Sequence, residues 1–283
     1  MHSILFDWVS QVHAGLQLPL SPAGSPDDPQ DLLFRAFAHI DACLAAEHRH
    51  LQRLQEPPVG AASAPSTPPP WPRRLRVGEQ LQLTGMACTL AASRLSEDEV
   101  LDDEELVGWL ETVTDGLCTR EKARQSWREV TAALGYRARQ PTVYTFLRRF
   151  LRWTGWTHES FSFANYIVEL AIVHCFGLEF RPQVIAAAAA ALSRQYLSQG
   201  AQKPPTTTWK KRLLRCAHVD LHRELAPCAV ALARLHGALH RQPNMFVNRK
   251  YALARFHSVA GLAPALAPPD VAAYARYLQD AST

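Results

Sequence analysis

Apolar residues recur at three- and four-residue intervals through most of this chain, and no segment alternates convincingly between apolar and polar residues. The first spacing places apolar side chains on one face of an α-helix, whereas strict alternation is typical of a half-buried β-strand. The pattern therefore predicts an all-α fold. It predicts helices near residues 2–16, 30–46, 79–95, 103–114 and 119–134, and a second set near 142–153, 161–177, 182–198, 207–219 and 222–240.

The residue types in the first predicted helix are more informative than its periodicity. Its apolar face is formed by Met1, Ile4, Leu5, Trp8 and Val12. On spacing alone, this face predicts only an amphipathic helix with an ordinary core role. The order Met-x-x-Ile-Leu-x-Asp-Trp-x-x-x-Val-His, however, resembles the segment that opens the cyclin box, in the pattern of the A- and B-type (mitotic) cyclins.

The resemblance to the cyclin family continues in order along the chain. Residues 81–94 resemble the third helix of the box, and the second helix is matched by Leu33, Phe34, Ile40, Asp41 and Leu44. A second cyclin fold is matched by Pro141-Thr142, Tyr166, Glu169-Leu170, Pro182 with the run 185–188, and Lys250-Tyr251-Ala252. The chain is thus identified as a divergent member of the family. The resemblance implies two tandem five-helix cyclin folds.

The expected domains are an N-terminal cyclin box at residues 1–139, a C-terminal cyclin fold at 140–262 and a tail or helix at 263–283. A segment rich in proline, alanine and serine near 47–76 is interpreted as an insertion, because cyclins have only a short turn there. The alanine run 186–191 is interpreted as a close-packed helix. In relatives a leading helix and a destruction signal precede the box. Either the sequence is truncated or this protein lacks both.

Bulk composition excludes several classes of protein. The chain has 283 residues, 47% of them hydrophobic and 20% charged, which is ordinary for a soluble protein. No apolar run reaches the roughly 18–20 residues of a membrane span, and no signal segment is evident. The net charge is +4, and the densest basic run, 209–212 with Arg215, predicts a solvated helix face. We therefore expect neither a membrane nor a nucleic-acid partner. The six widely spread cysteines indicate reduced core residues of an intracellular protein.

By the resemblance, one set of residues forms a shallow groove that binds Arg-x-Leu motifs of substrates or inhibitors. The set is Met1, Ile4, Leu5, Trp8, Gln11, Leu81 and Gln82. Trp8 would supply a flat wall, and the two glutamine amides would bond peptide backbone. The alternative is that Leu5 and Trp8 are core residues. A-type cyclins have Glu at the position of Gln11, so weaker attraction for the motif's arginine is expected.

The resemblance also identifies a kinase-contact pair. Cyclins use a Lys of the third helix and a Glu of the fifth to hold the kinase's regulatory helix. Arg94 takes the Lys position and keeps the charge, whereas Trp127 takes the Glu position and its indole accepts no hydrogen bond. Glu129 lies about 200° further around the helix and is a poor substitute. A lower affinity for the kinase is therefore expected unless Trp127 contributes apolar contact.

Two further sets are assigned structural roles. In the family, an Arg after the opening Met pairs with an Asp of the second helix, and here the brace would join His2 to Asp41. Two histidine pairs at four-residue spacing could chelate a metal, and the set is Cys216, His218, His222, Cys228, His236 and His240. No Cys-x-x-Cys accompanies them and the family offers no metal site there. Ordinary surface or core histidines, and no metal, are therefore expected.

No catalytic residue is expected, because the sequence has no glycine-rich phosphate loop, nucleophile elbow or His-Glu-x-x-His pattern. The resemblance implies a non-enzymatic, cofactor-free activating subunit of a cyclin-dependent protein kinase, acting in cell-cycle control at G2/M in nucleus and cytoplasm. Two alternatives stay open. One is a cyclin-fold peptide-binding adaptor that no longer activates a kinase. The other is a metal- or nucleic-acid-binding helical protein in the manner of cyclin-fold transcription factors.

Overall fold

The computed structural model describes residues 2–15, 29–55, 78–95, 104, 107–108, 111–112, 114, 119–134, 140–155, 157–174, 179–198, 208–262 and 270–279. These residues are helical or connect helices, and none of them forms a β-strand, which confirms the predicted all-α fold. The helices are α1 (His2–Gly15), α2 (Pro29–Gln55), α3 (Gly78–Leu95), α4 (Arg120–Ala133), α5 (Val143–Thr154), α6 (His158–Val173), α7 (Pro182–Ser198), α8 (Thr208–Ala217), α9 (Ala226–Leu239), α10 (Phe246–Tyr251) and α11 (Val271–Gln279). A π-helix, Leu221–Leu225, precedes α9, and 3-10 turns follow α10 at Ala254–Phe256 and Val259–Gly261.

Side-chain caps determine where several helices begin. The Thr142 hydroxyl accepts a hydrogen bond from the backbone N–H of Thr145, and the Thr145 hydroxyl accepts one from the N–H of Thr142. This reciprocal capping box starts α5, and a Thr157–Ser160 box starts α6 in the same way. α5 ends at Gly155, whose φ of 72° is left-handed and therefore favours glycine.

Contacts divide the chain into two compact units. One contains α1 together with α5 to α11, and the other contains α2, α3 and α4. The division falls between Gln140 and Pro141, but it groups α1 with the C-terminal helices. The predicted domain boundaries stay a prediction.

The core of the unit formed by α1 and α5 to α11 is organised around α7. This helix packs against α5, α6 and α9. Ala186 to Ala191 are all fully buried. Because methyl side chains let neighbouring backbones approach closely, the alanine run allows several helices to surround α7, which confirms the predicted close-packed helix.

The structure differs from the predicted helices in three places. α2 continues to Gln55, so it runs into the segment interpreted as an insertion, while residues 56–77 lie outside the described residues. The helix expected near 103–114 is described only at isolated residues. α10 was not expected, because its six residues are too few to show a helical period. Among the described helices, none combines the length and apolar composition needed to cross a bilayer.

Candidate functional site

The structure brings Arg94 and Trp127 into direct contact. α3 packs against α4, which places the last turn of α3 beside the middle of α4. Arg94 is exposed and Trp127 is half-buried. The Arg94 Cζ atom lies 4.1 Å from the centroid of the Trp127 ring, within the range of a cation–π interaction. The two residues that the resemblance assigned to kinase contact therefore form one surface feature, and their role in binding a kinase stays a prediction.

The electrostatics of this feature differ from those of a Lys–Glu pair. The indole contributes a flat apolar face and polarisable π electrons, and it offers no oxygen acceptor. Glu129 does not fill that role, since its Oε1 atom accepts a hydrogen bond from Gln125 Nε2 at 3.2 Å on the same helix. A partner that contacts Arg94 and Trp127 would therefore meet a cation stacked on an aromatic ring.

Ion pairs hold the start of α4. Glu104 accepts a hydrogen bond from Arg124 at 2.6 Å and another from Arg120. All three side chains are about half exposed, so each pair contributes little to stability. Thr119 caps the helix through its hydroxyl, which accepts from the N–H of Lys122. The orientation of Trp127 thus rests on helix α4 itself and on its packing against α3.

The predicted groove residues on α1 have unequal exposure. Ile4 is 74% exposed, whereas Leu5 is 5% exposed. Trp8 is half-buried and Gln11 is exposed. Met1 lies outside the described residues. Burial makes Leu5 a core residue, as the alternative interpretation expected, and leaves Ile4, Trp8 and Gln11 as the accessible members on α1.

The other two groove residues lie on α3. Leu81 and Gln82 are both half-buried near the start of that helix. The groove as a whole stays a prediction.

The predicted brace also stays a prediction. His2 belongs to α1, but its side chain lies outside the described part of the chain, and Asp41 is half-buried on α2. The charge of Asp41 also acts on the buried thiol of Cys88. Burial raises the pKa of the Cys88 thiol well above its usual value, and the Cys43 thiol and the charge of Asp41 add to this effect. The four described cysteines are all free thiols.

The histidine set predicted to be structural contains one unusual member. His236 is fully buried among aromatic rings, with centroid distances of 5.4 Å to Phe163, 5.5 Å to Tyr166 and 5.7 Å to Tyr196. Burial, with a smaller effect of neighbouring His240, lowers the pKa of His236 to about 4. Among the described residues, no group of three or more His, Cys, Asp or Glu side chains is arranged to hold a metal.

A buried charge cluster escaped sequence analysis. Lys250 Nζ lies 2.8 Å from Glu169 Oε2, and the Tyr251 hydroxyl donates to the same oxygen at 3.0 Å. The side chains of Lys250 and Glu169 are 2% and 0% exposed. Next to this cluster the Tyr166 hydroxyl donates to Asn248 Oδ1 at 2.8 Å. One signal was available in the sequence: Glu169 lies in a helix whose apolar residues predict burial. Because a buried charge is costly without a partner, a cation was to be expected beside it.

Asp7 has a role that its motif did not indicate. Its carboxylate accepts hydrogen bonds from the backbone N–H of Phe246, at 3.0 and 3.1 Å, and of Val247, at 3.4 Å. The carboxylate therefore caps the N-terminus of α10, where the helix dipole favours negative charge. This contact joins α1 to a helix more than two hundred residues away in the sequence and explains why α1 groups with the C-terminal unit.

Comparison with known proteins agrees with this architecture. The model of the cyclin C-terminal domain family matches residues 141–265, the region of α5 to α10. G2/mitotic-specific cyclin-1 of Medicago sativa subsp. varia is 28% identical over 196 residues, or 67% of this chain and 42% of that protein. The chain is a member of the cyclin family that resembles the A and B types.

Two further relatives cover this cyclin to different extents. Cyclin-A2-4 of Arabidopsis thaliana is 30% identical over 195 residues, which are 64% of the chain and 38% of that protein. Cyclin-B2-2 of Oryza sativa subsp. indica is 26% identical over 271 residues, 94% of the chain and 52% of that protein. The chain therefore spans about two fifths to one half of the length of these three curated relatives.

Proposed function

We propose that this cyclin is the regulatory, activating subunit of a cyclin-dependent protein kinase in cell-cycle control. Membership of the family and the resemblance to A- and B-type cyclins support the proposal. The observation that carries it is the match of residues 141–265 to the cyclin C-terminal domain family. The kinase contact is assigned to Arg94 and Trp127, which occupy the family's kinase-contact positions by resemblance and touch each other on the α3–α4 surface. The protein itself would catalyse no reaction.

The proposed mechanism is allosteric. The α3–α4 surface would pack on the kinase's mobile regulatory helix and favour the arrangement in which the catalytic groups are aligned. Arg94 would supply the charged contact, whereas the indole of Trp127 would leave unmade the hydrogen bonds that relatives form through a carboxylate. Binding energy available only to the active arrangement would shift the kinase toward it.

Two finer assignments accompany this proposal. We propose that the cyclin acts at G2/M, because a relative is described as G2/mitotic-specific. We also propose that it works in nucleus and cytoplasm. We also propose that Ile4, Trp8, Gln11, Leu81 and Gln82 bind Arg-x-Leu motifs of substrates or inhibitors. The exposure of Ile4 and Gln11 supports the accessibility of the α1 positions.

The test of the kinase contact is titration of purified cyclin-dependent kinases against four proteins: wild type, Arg94→Ala, Trp127→Glu and Arg128→Ala. Arg128 is an exposed cation beside Trp127 on α4 and serves as the matched control. We expect Arg94→Ala to weaken binding and Trp127→Glu to strengthen it or leave it unchanged, because a carboxylate restores charge-assisted bonds of about 1.5–3 kcal/mol. Dissociation constants and kinase activation are measured together.

The outcomes separate the proposal from its alternative. If wild type binds a kinase tightly and Trp127→Glu does not bind it, the indole is an apolar anchor. That result would contradict the interpretation of Trp127 as a lost contact. If no kinase binds any of the four proteins, the peptide-binding adaptor is favoured, and the replacement of the usual Glu by Trp127 is the observation that supports it.

The groove is tested separately with a fluorescein-labelled Arg-x-Leu peptide and an Ala-x-Ala control peptide. Trp8→Ala is expected to weaken the first peptide by about 2 kcal/mol or more, as loss of an aromatic anchor commonly does. Circular dichroism first establishes that the variant is folded. Unchanged affinity in a folded Trp8→Ala protein would rule out the groove.

A further inference from the structure

Helices α5 and α8 carry a concentration of positive charge. α5 contains three cationic residues and α8 four, and neither helix has an acidic residue. The whole chain has a net charge of only +4, so the remainder is net negative. The two helices pack against each other. The basic run 209–212, which lies on α8, is therefore next to a second cationic helix, α5.

Two of these cations have contacts inside the fold. Lys210 is buried, donates to the Tyr277 carbonyl and lies 3.6 Å from the centroid of that residue's ring. Arg148 is half-buried and lies 5.8 Å from the centroid of the Tyr144 ring. Structural roles therefore account for Lys210 and Arg148.

The remaining five cations are exposed. They are Arg149, Arg152, Lys211, Arg212 and Arg215, which we call the basic face. On α5, Arg149 and Arg152 lie opposite the buried face that includes Leu147 and Phe150. On α8, the three cations lie opposite Trp209 and Leu213.

No acidic side chain of the described residues forms an ion pair with Arg149, Lys211, Arg212 or Arg215. α7, which packs against both helices, contains no acidic residue either. α6 packs against α5 and has Glu159 in its first turn, while its other carboxylate, Glu169, is buried with Lys250. Mutual repulsion of like charges is unfavourable, and an anionic ligand would relieve it.

An exposed tryptophan lies at the edge of the basic face. Trp153 is 53% exposed and stands four residues after Arg149, so the two side chains are neighbours on α5. Large exposed aromatics beside cations are typical of protein-binding surfaces, in which Trp and Arg contribute most of the binding energy. A single-stranded nucleic acid needs several exposed aromatic platforms, and Trp153 alone among the residues of α5 and α8 is an exposed aromatic.

We propose that the basic face binds an acidic peptide segment of a partner protein, with Trp153 receiving an apolar residue of that segment. α5 is 12 residues long, or about 18 Å, which an extended segment of about five residues would span. The recognised chemistry is a short run of Asp and Glu around one apolar side chain. The proposal does not depend on the kinase role, because the basic face shares no residue with the α3–α4 surface.

The probe is a fluorescein-labelled peptide of Asp and Glu residues around a central Phe, followed by fluorescence anisotropy with the full chain. Lys211→Gln/Arg215→Gln is expected to weaken binding about five- to tenfold. The matched control, Arg128→Gln/Arg234→Gln, removes the same charge from exposed positions on α4 and α9. It is expected to change the dissociation constant less than about twofold.

Further measurements identify the ligand class. Trp153→Ala is expected to weaken the Phe-containing peptide, but not a peptide in which Ala replaces Phe, and raised salt is expected to weaken both. Equal losses in the two double variants would show that binding follows net charge and would overturn the proposal. Tighter binding of single-stranded oligothymidylate than of the peptide, or no peptide binding at low salt, would overturn it as well.

Discussion

The Lys250–Glu169 pair and the Arg94–Trp127 pair each join two helices through a cation, but their surroundings are opposite. The first is almost completely removed from solvent, and the Tyr251 hydroxyl donates a further bond to the shared oxygen. The second lies at the surface, with Arg94 exposed.

This difference separates a structural contact from a contact available to partners. A buried charge has to be satisfied within the fold, because its desolvation is costly without a partner. A surface cation stacked on an aromatic ring contributes little to folding and can be covered by another protein. Substitutions in the two regions should therefore differ in what they disturb.

The largest expected effect is on the buried pair. Lys250→Met leaves the Glu169 carboxylate uncompensated and is expected to reduce the free energy of unfolding by about 3–5 kcal/mol. The measurement is urea denaturation followed by circular dichroism. The double variant Lys250→Met/Glu169→Gln is expected to recover part of the loss. A loss of less than about 1 kcal/mol in Lys250→Met would contradict the assigned role of the pair.

The second-largest expected effect is a pH dependence of stability caused by buried His236, which lies in the same unit as the Lys250–Glu169 pair. His236 has a pKa of about 4 in the folded protein, below the ordinary 6.5, so the unfolded chain binds the proton first. The contribution of neutral His236 to the free energy of unfolding is fully present above pH 6.5. It falls by up to about 3 kcal/mol as the pH decreases toward 4. His236→Phe is expected to flatten this dependence.

The measurement is the thermal midpoint at pH 7 and pH 4.5 for wild type, His236→Phe and His222→Phe. His222 is exposed and is the matched control, which should keep the wild-type pH dependence. Carboxylates that titrate below pH 5 are common to all three proteins, so the difference isolates His236. An identical slope in His236→Phe would show that this histidine does not govern acid stability.

The smallest effect is expected at the surface pair. A double-mutant cycle of Arg94→Ala and Trp127→Ala should give a coupling free energy of about 0.5–1 kcal/mol, as exposed cation–π contacts do. The measurement is urea denaturation of the four proteins in the absence of a kinase. A coupling above about 2 kcal/mol would mean that the pair stabilises the fold as a buried contact does, and the comparison would fail.

Sequence by itself determined the helical class of this protein and most of its helices. Backbone hydrogen bonds in a helix join residues four apart, so the apolar period and the local caps are visible in the chain. The end of α2 was less visible, because residues 47–55 have no clear apolar face although their Glu, Leu, Arg and Gln content favours a helix. α10 was not visible at all, since its six residues are too few to show a helical period and its N-terminus is capped by the distant Asp7 carboxylate.

The positions of Arg94 and Trp127 followed from family resemblance, and only tertiary structure decided that the guanidinium stacks on the indole. Burial likewise made Leu5 a core residue and left Ile4 exposed, a distinction that two adjacent apolar residues do not reveal in sequence. The pairing of Glu169 with Lys250 also required the folded chain. The physical reason is common to all three: burial and charge pairing depend on which helices pack together, and residues far apart in the sequence supply the two sides of each contact.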